Sequence, residues 1–189
     1  MKHTIIIADD EPITRMDICE ILTEAGYEVV GQASNGFEAV ELCRKLKPNL
    51  AIMDIKMPFL DGIKASKIIT NEDLSDSIVL LTAYSSSEFV EEAKESGVIG
   101  YIVKPIDEKS LVPEVGIAIS RGKEMKKMKD EMNKVQIEIQ KRKVIEKAKK
   151  TMMKMLNVSE NEAYSKLRKE SMDSRLSIHQ VALSFIEKA

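Results

Sequence analysis

Asn49-Leu50-Ala51-Ile52-Met53-Asp54-Ile55-Lys56-Met57-Pro58 is the stretch whose reading decides the fold. Its apolar run shows no alternation, the pattern of a strand buried on both faces, as a parallel sheet covered by helices requires. The run ends in one carboxylate, Asp54. At the carboxyl end of such a strand a carboxylate stands where open α/β sheets bind their ligands. Taken alone, Asp54 reads more readily as a cap on the turn that follows, so its meaning depends on what the other strand ends bring to it.

Working outward, the first 120 residues alternate short Ile- and Val-rich runs with amphipathic stretches. Strands are predicted over 4–8, 27–31, 50–53, 78–82 and 99–103. Helices are predicted over 13–25, 37–46, 62–71, 88–96 and 109–121, punctuated by Gly26, Gly36, Pro48 and Gly97. Five βα units imply a five-stranded parallel sheet with helices on both faces. On that scaffold Asp9 and Asp10 follow the first strand, Asp54 ends the third, Thr82 the fourth and Lys104 the fifth. All five converge on one edge. Three carboxylates so close repel unless a cation joins them, and a hard divalent ion such as Mg²⁺ suits oxygen donors. Thr82 and Lys104 add a hydroxyl and a positive charge of the kind that surrounds a phosphoryl group in transfer.

The set Asp9-Asp10, Asp54, Met57-Pro58, Asp61-Gly62, Thr82-Ala83 and Lys104-Pro105 resembles the receiver domain of two-component response regulators. The resemblance implies a flavodoxin-like fold of strand order 2-1-3-4-5, with Asp54 taking phosphate from a sensor histidine kinase. It also implies that Asp9, Asp10, Asp54 and the backbone carbonyl of Lys56 hold Mg²⁺, that Thr82 and Lys104 bind the phosphoryl oxygens, and that Lys104-Pro105 is cis. Tyr101 falls at the aromatic switch position. Lys56 and Tyr84 fall at positions that tune loss of the phosphoryl group.

Charge divides the chain. Residues 1–120 hold 11 Lys and Arg against 21 Asp and Glu, a net of −10, whereas residues 121–189 hold 18 against 10, a net of +8. The last proline is Pro113 and the last glycine Gly122. We therefore expect a receiver over 1–121, a helical coiled-coil linker over 122–140 and a small all-α domain over 141–189. In the linker Met125, Met128, Met132, Val135 and Ile139 follow the 3,4 spacing of a short coiled-coil seam, suited to a conditional homodimer. Packing of these residues back on the receiver is the bland alternative.

The apolar stripe then shifts phase to Val144 or Ile145, Ala148, Met152 and Leu156, and Asn157 closes the helix. Ser159 with Glu162, and Ser177 with Gln180, read as capping boxes that open two further helices. This three-helix tail resembles the ANTAR output domain of antitermination regulators over residues 140–189. The resemblance rests on Ile145, Glu146, Ala148, Lys149, Glu162-Ala163-Tyr164, Leu167-Arg168, Ser171-Met172 and Val181-Ala182, with Ser171 where alanine is usual. Over the whole chain the likeness extends to the ethanolamine-utilisation antiterminators of Gram-positive bacteria. It implies an RNA partner with two small stem-loops in a leader. For RNA contact the candidates are Ala148, Lys149, Tyr164, Arg168, Met172 and Arg175; Tyr164 and Arg168 lie one turn apart, so a ring and a guanidinium can share a face. Core packing is the alternative for Tyr164, and a solvated flank for most of the lysine run.

Other classes fit less well. A DNA-binding tail needs a polar recognition helix, and the helix from Ile178 is too apolar to lie exposed in a groove. A protein-docking tail is the remaining rival. No catalytic grouping marks an enzyme; His179 stands alone. The opening Ile5-Ile6-Ile7 runs straight into Ala8-Asp9-Asp10-Glu11, unlike a signal peptide. No apolar run reaches the roughly 20 residues that span a bilayer, so a cytoplasmic protein without membrane contact is expected. Cys19 and Cys43 read as reduced thiols without function.

Overall fold

A computed structural model of the chain describes residues 2–83 and 96–188. Tyr84, and all of the expected helix 88–96 except Ser96, lie outside the described residues. Two compact units divide at Lys127 and Met128, inside the expected linker.

In the first unit β1 (Thr4–Ala8), β2 (Glu28–Ala33), β3 (Leu50–Asp54), β4 (Ile78–Thr82) and β5 (Gly100–Val103) form one parallel sheet in the order β2-β1-β3-β4-β5. Alternation of side chains sends each strand into two cores. Ile6, Ala8, Ala51 and Met53 face one, beneath α2 (Gly36–Leu46) and α3 (Gly62–Asn71). Ile5, Ile7, Leu50 and Ile52 face the other, beneath α1 (Pro12–Glu24) and the start of α4 (Glu108–Leu156). Every residue of β3 and β4 is buried, which is why both sequences read as continuous apolar runs. Cys43 belongs to the first core, where burial pushes its thiol up to about 12. That marks a packing residue.

Local chemistry sets the ends of these elements. Asn35 and Asp61 cap α2 and α3 by accepting from the backbone N–H of Glu38 and Lys64. Gly62 begins α3 so close to β3 that a Cβ there would overlap the Asp54 carbonyl. A missing side chain thus lets the loop fold back under the acidic strand end. β2 starts one residue later than expected and runs two further: it pairs with β1 along all five residues of that strand, and a register shift between Ile5 and Ile6 adds one more, ending at Ala33.

The linker continues the last helix of the first unit. α4 runs unbroken for 49 residues from Glu108 to Leu156, with Pro113 near its start. In the second unit the end of α4, α5 (Glu160–Ser174) and α6 (Ile178–Lys188) enclose a small core of Ala148, Met152, Ala163, Leu167, Val181 and Ala182. Asn157 takes a left-handed conformation at the close of α4. Both capping boxes are formed: Ser159 with Glu162, and Ser177 with Gln180. Among the described residues, no helix is long and apolar enough to cross a membrane.

Candidate functional site

The carboxyl ends of β1, β3 and β5 bring three charges into contact. The Lys104 ammonium lies 2.8 Å from Asp9 Oδ2 and 2.7 Å from Asp54 Oδ1. The remaining oxygens are held by backbone: Glu11 N–H donates to Asp9 Oδ1 at 2.9 Å and Lys56 N–H to Asp54 Oδ2 at 2.7 Å. Asp9 is fully buried and Asp54 is 6% exposed. Asp10, Thr82 and Lys56 join Asp54 and Lys104 around a cleft of about 300 Å³. Thr82 is buried, and its carbonyl accepts from the Lys104 N–H at 2.8 Å. The Lys104-Pro105 bond is cis, as expected. Tyr101, on β5, is half exposed.

Burial pushes the Asp54 carboxyl above its ordinary value and Asp9 adds to the effect, while Lys104 and the Lys56 N–H oppose it. Burial alone would lower Lys104, but its ion pairs with Asp54 and Asp9 outweigh that and hold it above its ordinary value. Two buried carboxylates against one ammonium leave the cleft short of positive charge, and at its exposed edge Asp10 and Glu11 outnumber Lys56. A hard divalent cation with oxygen ligands fits that deficit. Two participants carried no signal in the sequence pattern. Glu11 lines the cleft, and Arg15 Nη1 donates to the Asp9 carbonyl at 2.6 Å from the first turn of α1.

The tail places its candidates unevenly. Tyr164 is 42% exposed and Met172 64%, while Arg168 and Arg175 are exposed on and just after α5. Ala148, read both in the apolar stripe and as an RNA contact, is fully buried in the three-helix core. This corrects its role to packing, since a methyl sealed between helices offers no contact. Lys149 is 9% exposed and its charge is satisfied within the unit, 2.6 Å from Glu146 and 2.7 Å from Glu160, with its ammonium 6.0 Å from the Tyr164 ring centroid. Along α4, Met125, Met128, Met132, Val135 and Ile139 are all exposed, from 44% to 67%, which leaves the seam open to water.

Residues 5–115 match the response regulator receiver domain and residues 133–186 the ANTAR domain. The transcriptional regulatory protein PdtaR of Mycobacterium tuberculosis is 38% identical over 187 residues, covering 99% of this chain and 91% of that protein. The chemotaxis protein CheY of Thermotoga maritima is 41% identical over 112 residues, which is 59% of this chain and 93% of CheY. Among solved structures, the response regulator domain of Thermotoga maritima CheB overlays with a TM-score of 0.56 at 30% identity, over 65% of this chain and 96% of that one. These relatives speak to the family and leave the ethanolamine-utilisation likeness untouched. With a flavodoxin-like sheet, a charged cleft at its carboxyl edge and a PdtaR-like match along its length, the chain belongs to the two-component response regulators that join a receiver to a C-terminal ANTAR RNA-binding domain.

Proposed function

We propose that the protein accepts a phosphoryl group on Asp54 from a sensor histidine kinase, dimerises through the exposed α4 seam, and binds paired RNA stem-loops to prevent transcription termination in the cytoplasm. The observation that carries this reading is the Lys104 ammonium within 2.8 Å of both Asp54, which lines the cleft, and the buried Asp9 beneath it. In the transfer an Asp54 oxygen forms a bond to phosphorus as the bond to the kinase imidazole nitrogen breaks. The Lys104 ammonium, already beside Asp54, follows the charge onto the phosphoryl oxygens, and the Thr82 hydroxyl stands at the same edge. Asp9, Asp10, Asp54 and the Lys56 carbonyl would hold Mg²⁺, which supplies charge neutralisation for the phosphoryl oxygens when bound.

On the output side a dimer presents two small helical units to two stem-loops, so two weak contacts gain affinity through effective concentration. Tyr164 offers a ring for an unstacked loop base, and Arg168, Arg175 and Met172 complete an exposed surface beside it. Lys149 enters this reading as the residue that steadies the Tyr164 ring, through the ion pair with Glu160 that ties α4 to the start of α5.

Beryllofluoride with Mg²⁺ imitates the phosphoryl group. It should double the molar mass by light scattering and tighten binding to a two-hairpin RNA, and the gain should shrink as salt rises. Unchanged mass and unchanged RNA affinity would sink the proposal, and preference for duplex DNA in the same gel shift would replace the RNA partner. Tyr164→Ala with Arg168→Ala should abolish RNA binding while leaving dimerisation intact; retained binding would move the contact elsewhere.

A further inference from the structure

The exposed seam carries more information than its apolar residues. With Met125, Met132 and Ile139 at the first seam position and Met128 and Val135 at the second, the flanking residues fall into two chemical classes. Before the first-position residues stand Glu124, Glu131 and Glu138; after the second-position residues, and one heptad further on, stand Lys129, Gln136 and Lys143. One flank is therefore acidic and the other basic or neutral. Glu138 and Lys143 are both exposed.

We propose that α4 mates in parallel and in register with α4 of a second copy, its orientation and choice of partner set by Glu138 of each chain meeting Lys143 of the other. This rests on the dimer reading above and deepens it. In a parallel two-stranded coiled coil, the residue before a first-position residue of one helix reaches the residue five places further on the other. Glu138 then meets Lys143, and Glu124 meets Lys129, twice over by symmetry. An antiparallel pair instead sets the acidic flanks against each other and the basic flanks against each other, which repels on both sides.

The seam also has a built-in end. Arg142 and Glu146 take the next two seam positions, where buried charge opposes close packing. Nine residues separate Ile139 from the core residue Ala148, about two and a half turns, so seam and core lie on opposite sides of α4. The second copy can therefore lie along 125–139 without displacing α5 or α6.

Charge reversal tests the pairing. With beryllofluoride, Glu138→Lys and Lys143→Glu should each weaken self-association roughly three- to tenfold, because two attractive contacts become repulsive in each dimer. Mixing the two variants should restore wild-type affinity, since both contacts between the unlike chains are then attractive. Val135→Cys, oxidised with diamide, should give a dimer cross-linked at position 135 only if like positions face each other. If the wild-type chain fails to dimerise, the dimer reading itself falls. If it dimerises but neither reversal weakens it, mixing restores nothing or Val135→Cys gives no cross-link, the parallel pairing is wrong and the dimer reading stands.

Discussion

The two units handle charge in opposite ways. In the receiver, Asp9, Asp54 and Lys104 sit at the edge of a sheet whose strands feed two cores, and burial is what perturbs Asp54 most. In the tail, a core of six buried side chains, three of them alanine, leaves most charges in water, and the exposed groups are an aromatic ring and guanidinium groups. Under the proposed function, the difference teaches where each kind of work would be done. Chemistry on a phosphoryl group gains from desolvated, preorganised charge, whereas reading a flexible nucleic acid gains from accessible rings and cations. A large core provides the first, and a small core suffices for the second.

The sharpest way to break this contrast is at Asp54. Asp54→Asn preserves shape and removes the nucleophilic charge, so labelling from acetyl phosphate with Mg²⁺ should vanish, as it should for the wild type in EDTA. Mass spectrometry reads the result, and retained label on the variant would place the acceptor elsewhere. Next in size is core truncation. Leu167→Ala and Leu80→Ala, both fully buried, should each cost roughly 2–5 kcal/mol. In the tail that loss should melt α5 and α6 while the receiver stays folded; in the receiver it should lower the melting temperature without unfolding the sheet. Hydrogen exchange separates the two outcomes, and equal loss of protection throughout both units would mean that they fold as one.

Smaller effects probe the tail alone. Ser159→Ala removes one half of a capping box and should destabilise α5 by about 1 kcal/mol in urea unfolding, with no change in phosphoryl labelling. Smallest of all is a pH effect from Glu162, whose carboxyl the Ser159 backbone N–H and hydroxyl hold below its ordinary value of 4.5. A depressed carboxylate contributes stability that is fully present above 4.5 and lost as pH falls through its lower folded value. Tail helicity by circular dichroism should therefore drop more in acid for wild type than for Glu162→Gln; identical acid profiles would remove Glu162 from the account.

Much of the receiver was legible because its signals are local and strict. A run such as Leu50-Ala51-Ile52-Met53 has one plausible use, and strand ends place Asp9, Asp54, Thr82 and Lys104 without knowledge of any contact. Arg15 was not legible, since its partner is a backbone carbonyl and no side-chain pattern encodes that bond. In the tail the capping boxes could be read, but Ala148 carried two readings, one in the apolar stripe and one at the RNA surface. A small residue serves equally at a buried helix contact and at a close-approach surface, and only packing chooses. The surroundings of Lys149 were half legible: Glu146 lies three residues before it on the same helix, whereas Glu160 belongs to the next helix, and no single-helix periodicity relates that pair.

The unbroken course of α4 has a consequence for how such proteins can change length. Inside a continuous helix each inserted or deleted residue turns everything beyond it by roughly 100 degrees. One residue lost between Ile139 and Val144 would swing the three-helix core toward the mating face, whereas seven residues gained would return it nearly to its starting angle. Descendants of this chain should therefore vary here in steps close to whole heptads, so that α4 acts as a phase lock on its own evolution.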